Sequence, residues 1–434
     1  IIFKYLYILS VFLFIIISII FCHIKRRNIM RKIYGLALVA AAALSLAACS
    51  NSSNTESSAD NKSTEAGASE AASKGASANP DLETITIGST GPLTGGAASY
   101  GISVKQGAEV AIEEINNAGG VKVGDKSYNL ALQFEDDEAD EEKARTAYST
   151  LMDKKVDVIM GAVTSGSSLA ITDLTKADNI LQLTPSGSAA GITANDNVFR
   201  LCFTDPIQGK TIADYVVKQG YDSVAVLYNN SDEYSTGVYE AFKNELTETG
   251  NADLLVAEES FVSDDVDFTA QLTKIKATGA KIMFVPAYYE AAAYIAKQVK
   301  DLGLEVEIVG SDGWDGVLGQ VTDTSVLDGV VFLTPFYPTD PSEKVQNFVK
   351  AYKAKYNNAI PDQFAADSYD SVYVLKAAFE KAGTKDTADL IKAMTEISVD
   401  GLTGQISFDV SGDPIKEAKF VVIENGAYQT KDID

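Results

Sequence analysis

The chain has 434 residues, 46% hydrophobic and 22% charged, with 32 Gly and 10 Pro, which is apolar material for one large core or two medium ones. Net charge is −24, and six of the 36 bases but none of the 60 acids fall in residues 1–48, so the remainder carries −30. A polyanion of that size is repelled by nucleic acid and by anionic membrane surfaces. The single histidine, His23, lies in the N-terminal segment, which leaves any soluble body without an imidazole for Ser-His-Asp chemistry or metal ligation. Three cysteines, Cys22, Cys49 and Cys202, exclude a disulfide framework and a thiolate zinc site. Most enzyme classes, and with them any metal or cofactor, drop out here.

Two apolar runs stand in tandem at the start. Residues 1–22 lead into Lys25-Arg26-Arg27, and a second start follows at Met30. Residues 1–29 are expected to be an extra hydrophobic segment or translated sequence upstream of the true start. Residues 30–48 have the layout of a secretory signal: Arg31 and Lys32, an apolar stretch from Leu36 to Leu44, then small residues running into Cys49. Leu46-Ala47-Ala48-Cys49 resembles the lipobox of bacterial lipoproteins, which implies cleavage before Cys49 and acylation of its thiol. Acyl chains contribute about 0.8 kcal/mol per buried methylene, so two or three hold a protein at a bilayer. Residues 49–83 then read as a tether, because Ser50 to Pro80 contains no Val, Ile, Leu, Met, Phe, Trp or Tyr and has nothing to bury. The expectation is a globular body on a lipid-anchored leash outside the bacterial cell membrane.

From Thr84 the pattern becomes an alternation of strands and helices. Periodicity predicts a strand over 84–88, a helix over 99–117, a strand over 128–134 and a helix over 140–152. A buried strand over 156–161, a helix over 167–178 and a strand over 180–183 follow. After Thr204-Asp205-Pro206 the alternation restarts: helix 207–219, strand 223–228, helix 234–249, strand 254–259, and helix 268–277 with Asp267 as N-cap. Strand 280–285, helix 290–302 and strand 306–309 continue it. The last third supplies a strand over 329–333, helices over 342–356, 363–381 and 386–394, and strands over 404–408 and 418–424.

About 350 residues exceed one comfortable core, so two lobes are expected. Breaks near Asp205, Pro335 and Gly404 place residues 84–204 plus 336–404 in lobe 1 and 205–335 plus 405–434 in lobe 2. The predicted class is α/β, two doubly wound parallel-sheet lobes joined by three crossovers. Ligands in such sheets bind beyond the carboxyl ends of strands. Those ends are small and hydroxylated here: Gly161 to Ser168, Thr184 to Ser188, and Gly310 to Trp314.

Other motifs fail. Gly209-Lys210-Thr211 lacks the upstream glycine of a phosphate loop, where Thr204 stands. Asp136 to Glu142 lacks the spacing of a calcium loop and reads as a strand end followed by carboxylates at a helix N-terminus. Cys202, in the apolar pattern of Val198 to Phe203, reads as a buried small hydrophobe.

The segments Gly91-Pro92-Leu93-Thr94-Gly95, Tyr100-Gly101, Ala108 to Gly120, Asp136-Asp137, the Ser165 region, Thr184-Pro185, Tyr234 to Gly237, Asp267-Phe268-Thr269 and Gly310 to Gly313 carry a resemblance in their order and spacing. Over residues 84–428 the chain resembles the substrate-binding lipoproteins of branched-chain amino-acid ABC transporters, which have the type I periplasmic-binding fold. The resemblance implies an import receptor without catalysis, partnered by a small-molecule amino acid and by ABC permease membrane subunits.

Carried over by position, the resemblance implies that Ser165 and Ser188 take the ligand carboxylate, that the Ser186 carbonyl meets the ammonium, and that Asp312 completes that contact. The aromatic wall falls on Tyr100, Tyr234, Tyr288 and Tyr369, with Trp314 nearby. Each position has a plainer alternative: an N-cap for Ser165, a turn for Asp312, a core ring for Tyr288, Tyr369 or Trp314. Two departures stand out. Thr164 occupies the place of a family cysteine, and Asp312 is shorter than the glutamate expected there. The alternative functions are a receptor for amides, urea or aromatic acids, and a sensory ligand-binding ectodomain on the same scaffold; an enzyme is the weakest reading.

Overall fold

A computed structural model describes residues 79–431 apart from Glu417. The upstream segment, the signal, Cys49 and nearly all of the tether lie outside the described residues. Among those described, no helix is long and apolar enough to cross a membrane.

The first sheet has six strands: β1 Glu83–Gly91, β2 Val121–Val123, β3 Lys126–Asp136, β4 Val158–Met160, β5 Gln182–Thr184 and β6 Val198–Arg200, in the order β2-β3-β1-β4-β5-β6. All neighbours are parallel except β2, which pairs antiparallel with β3. Parallel neighbours need crossovers rather than tight turns. Helices α1 Ala98–Asn117, α2 Glu141–Asp153 and α3 Ser165–Ala177 supply three of them. Every residue of β4 and β5 is buried, which is why both read as continuous runs instead of alternating.

The second sheet repeats the scheme. Helices α4 Asp205–Lys218, α5 Glu233–Glu248, α6 Thr269–Thr278 and α7 Tyr289–Asp301 alternate with β7 Val224–Asn229, β8 Leu255–Phe261, β9 Ile282–Val285, β10 Glu307–Gly310 and β11 Val331–Thr334. These five strands are parallel. The chain then leaves for α8 Glu343–Lys355, α9 Gln363–Ala382 and α10 Thr387–Met394, makes the hairpin β12 Val399–Gly401 and β13 Gly404–Ile406, and returns as β14 Lys419–Glu424 and β15 Ala427–Thr430. The last two strands run antiparallel at the edge of the second sheet beside β11.

Helices α8 and α9 belong with the first sheet. Tyr352 donates to Gln106 Oε1 at 2.6 Å and Lys355 reaches Glu113 at 2.8 Å, both on α1. Gly107 allows α1 to lie directly on α9, since a Cβ there would come within 2.0 Å of the Ala365 carbonyl oxygen.

Two sequence expectations need correction. The third crossover was expected near Gly404, yet residues 405–416 stay with the first lobe: Phe408 packs edge-on to Phe199 at 5.4 Å, and the Arg200 N–H donates to Gly412 O at 3.1 Å. The buried Arg200 guanidinium pairs with Asp413 at 2.7 Å, and that requirement for a counter-charge holds the segment back. Entry into the second sheet comes at Lys419. The N-cap position of α6 is Phe268 rather than Asp267, and Asp267 instead accepts the Thr269 N–H at 3.0 Å.

Candidate functional site

The loops after β4 and β5 form the first wall. Ser165 is the first residue of α3, and its Oγ accepts the N–H groups of Ser188 and Ala189, both at 3.1 Å. With both lone pairs engaged, the Ser165 hydroxyl hydrogen is left to donate. Ser188 Oγ lies 3.4 Å from Ser165 Oγ. Ser186 donates its hydroxyl to the Val163 carbonyl at 2.7 Å, and Thr184 donates to that of Ala162 at 2.6 Å, so the two loops are stitched together. Behind them, Arg200 Nη1 donates to the carbonyls of Ser188 at 2.6 Å and Ala189 at 2.9 Å. The first-turn N–H groups of α3 and the helix dipole make this wall suited to an anion.

The second wall centres on Asp312, just past β10. Its carboxylate accepts the Tyr234 hydroxyl at 2.5 Å, its N–H donates to Gln208 Oε1 at 3.0 Å, and its carbonyl accepts Gln363 Nε2 at 3.2 Å. Burial pushes the Asp312 carboxyl up to about 6, against the lowering effect of Tyr234 and Gln208. A buried carboxylate whose pKa has risen for lack of compensation is one that gains from a cation. Nearby Asp205 is held well above the carboxylate range by its burial, with the charge of Asp312 adding to it.

Aromatic rings close the remaining sides. Tyr288, immediately before α7, stacks on Tyr234 with centroids 5.0 Å apart and planes 4° off parallel. It also meets Tyr100 edge-on at 5.4 Å. Tyr100, on α1, reaches across to the second lobe, donating to the Gly313 carbonyl and accepting the Tyr289 N–H at 2.8 Å. The Ser99 N–H donates to the Tyr289 hydroxyl at 2.9 Å. These bonds hold the lobes shut. The cavity between these groups is small, ≈ 10 Å³, whereas the crevice that adjoins it at Tyr288 has ≈ 610 Å³. A molecule the size of an amino acid enters only when the lobes part.

Seven of the nine expected ligand residues surround this cavity: Tyr100, Ser165, Ser186, Ser188, Tyr234, Tyr288 and Asp312. Two do not. Tyr369 lies on the flank of α9 that faces α1, where its hydroxyl donates to Glu114 at 2.6 Å. Its place is taken by Phe364, whose ring centroid is 4.3 Å from that of Tyr100. Five residues along a helix turn about 140°, so the two rings cannot share a face. Trp314 is fully buried behind the loop, donating Nε1–H to the Val285 carbonyl at 2.7 Å. Gly310 makes that possible, because a Cβ there would come within 2.3 Å of the indole. Trp314 is thus a core anchor beneath Asp312. Sequence reading also missed Gln208 and Gln363, whose partners lie across the fold; the signal available for Phe364 was its place two residues after the Asp362 cap, in the first turn of α9.

Two α/β lobes that bring a wall of hydroxyl and N–H groups and a buried carboxylate to one cavity between them define a solute-binding protein with the type I periplasmic-binding fold. The chain belongs to the periplasmic binding protein family, whose model matches residues 84–427. It is 31% identical over 334 residues to Leu/Ile/Val-binding protein homolog 3 of Brucella melitensis, covering 76% of this chain and 88% of that one. It is 28% identical over 349 residues to the leucine-, isoleucine-, valine-, threonine- and alanine-binding protein of Pseudomonas aeruginosa, covering 79% and 90%. Among solved structures it is similar to the branched-chain amino acid transporter substrate-binding protein LivJ of Streptococcus pneumoniae in complex with isoleucine. That match has a TM-score of 0.74 at 31% identity, over 80% of this chain and 98% of the other. Family membership carries an extracytoplasmic location.

Proposed function

We propose that this chain is the receptor of an ABC importer, binding a small aliphatic α-amino acid of the branched-chain class between its lobes and delivering it to the permease subunits. The observation that carries the reading is the opposition of unlike walls: Ser165 and Ser188 at the head of α3 face Asp312 across an aromatic box. A zwitterion satisfies both walls at once. Its carboxylate meets the hydroxyls and N–H groups of the first lobe, and its ammonium meets Asp312, with the Ser186 carbonyl beside it. Tyr100, Tyr234, Tyr288 and Phe364 leave an apolar enclosure for an aliphatic side chain. The names of the relatives, which bind leucine, isoleucine and valine, support the same class. Binding and closure are the whole of the chemistry, and no bond in the solute is broken.

Anchoring is part of the proposal. Acylated Cys49 would tether the body through residues 49–83 to the membrane that holds the permease. A Cys49→Ala chain should then lose its lipid label and its stable membrane retention, whereas retention through residues 1–29 would overturn the anchor.

The central test is calorimetric titration of ligand-stripped, refolded protein with leucine, isoleucine, valine, alanine and threonine. Heat with at least one aliphatic amino acid is expected. Silence with all of them would overturn the reading.

A further inference from the structure

Thr164 holds the N-cap position of α3 with φ −94° and ψ 159°, a geometry in which a threonine side chain ordinarily accepts an N–H from the first turn. It makes no such bond. Asp140 accepts from Lys143, Thr204 from Ile207 and Asp232 from Ser235, while Ser342 before α8 is likewise uncapped. Thr164 is 6% exposed, and its Oγ1 is buried without a hydrogen-bond partner among the described residues. A buried hydroxyl in that condition forfeits its hydration with nothing in return, and native structures rarely leave one so.

The surroundings indicate where a partner belongs. Thr164 stands between Val163 and Ser165 in the lining of the closed cavity, at the point where that cavity meets the outer crevice. Among the described residues no protein group partners Oγ1, and the residue borders both the cavity and the outer crevice. The same residue sits at the positive end of α3, while the one cavity-lining carboxylate, Asp312, belongs to the other lobe. The outer crevice is rimmed by Asp140, Glu141, Glu142, Asp232 and Glu233, which disfavours an anion on that side and turns it inward.

We propose that Thr164 Oγ1 is a third hydroxyl of the anion subsite, donating to the ligand carboxylate beside Ser165 and Ser188. The assignment rests on the amino-acid reading of this site. It gives the buried Oγ1, which has no partner among the described residues, a partner in the liganded state.

The test pairs two variants with two ligands. The full chain, its Thr164→Val form and its Thr164→Ser form are titrated with L-isoleucine and with L-isoleucinamide, which lacks the carboxylate. Thr164→Val should weaken isoleucine about tenfold, the worth of one hydrogen bond to a charged group at its lower end. Thr164→Ser, which keeps the hydroxyl, should stay within about twofold. The Val penalty should shrink for the amide. The melting temperature of ligand-free Thr164→Val should hold or rise, because an unpaired buried hydroxyl is being removed; a capping role would lower it. Isoleucine affinity unchanged in Thr164→Val, an equal loss for acid and amide, or a fallen ligand-free melting temperature would each overturn this assignment while leaving the receptor reading intact. If Thr164→Val does not fold, the cap reading wins, and loss of isoleucine affinity in a folded Thr164→Ser would overturn the assignment by itself. A wild-type chain that binds no isoleucine but does bind another class of solute overturns the receptor reading first and this assignment with it.

Discussion

The two lobes are built alike, and the proposed site has them meet the solute by opposite means. In the first, the polar groups that line the cavity are neutral: serine hydroxyls and backbone N–H groups, held by Arg200 from behind and by the stitching of Ser186 to Val163 and Thr184 to Ala162. No ionisable side chain of that lobe other than Tyr100 lines the closed cavity. In the second, the lining offers one buried carboxylate, Asp312, whose pKa burial has raised to about 6. An anion site made of shared dipoles is ready at any pH, whereas a buried carboxylate is complete only when a cation arrives. Closing the lobes over an ionised, unaccompanied Asp312 is therefore unfavourable, and closing them over an ammonium is not. Differential stabilisation of the closed form by ligand is what makes closure a response to binding.

The sharpest way to break the comparison is to remove the charged half. Asp312→Ala should strand a desolvated ammonium and weaken binding by about 2–4 kcal/mol, roughly 30- to 1000-fold, in isothermal titration. Asp312→Asn should be nearly as damaging, because it keeps the shape and removes the charge. If Ser165→Ala hurt more than Asp312→Ala, the assignment of the ammonium partner would be wrong.

Acid titrates the same asymmetry without mutation. In the ligand-free closed protein Asp312 protonates near 6, against about 3.9 for an unfolded aspartate. The folded form thus holds this proton more tightly. The group's contribution favours folding at pH values below both pKa values and turns unfavourable as pH rises from about 4 through 6, by about 3 kcal/mol. An ammonium reverses that penalty. Affinity should accordingly be level above about pH 7 and fall toward tenfold per pH unit below 6, with a proton released on binding. Titration at pH 5 in buffers of different ionisation enthalpy would detect that proton, and Asp312→Asn should abolish its release. A pH-independent affinity between 5 and 7 would mean that the ammonium lies elsewhere.

Ser165→Ala tests the neutral half. One donor among several is lost, so binding should weaken by about 1 kcal/mol. The structure adds a second consequence: the N–H groups of Ser188 and Ala189 lose their shared acceptor. Part of the effect should therefore appear as a lower melting temperature of the free protein, which Asp312→Ala should not show. Removing a buried carboxylate that is unfavourable at neutral pH should instead raise it.

Legibility in the sequence followed the same division. Alternation of strands and helices was readable because parallel strands buried on both faces carry unbroken apolar runs, as Val158–Met160 and Ile282–Val285 do. The loops at the strand ends, picked out by their small hydroxylated composition, line the cavity in the structure. Strands β2 and β12 were not readable, since Val-Lys-Val and Val-Asp-Gly are neither an unbroken apolar run nor long enough to establish a period. The late third crossover was hidden as well, because it depends on a buried arginine finding Asp413 more than two hundred positions away. Gln208 and Gln363, which hold the backbone of Asp312 from two different helices, have no local signature at all.

The smallest effect is expected where positional matching misplaced a ring. Tyr369 was aligned with the aromatic wall, yet its hydroxyl is spent on Glu114, and its ring packs on Phe348 and Tyr373 with centroids 4.9 Å away in both cases. Nothing of it reaches the cavity, which Phe364 closes from the start of the same helix. Tyr369→Phe keeps the ring and deletes one hydrogen bond between α9 and α1, so stability should fall by about 1 kcal/mol. Affinities for leucine, isoleucine and valine should remain within about twofold, with their ratios unchanged, because the wall that sorts side chains is intact. Phe364→Leu is the matched contrast, altering a ring in contact with Tyr100 and hence those ratios. If Tyr369→Phe shifted the ratios and Phe364→Leu did not, the aromatic wall described here would be drawn on the wrong face of the helix.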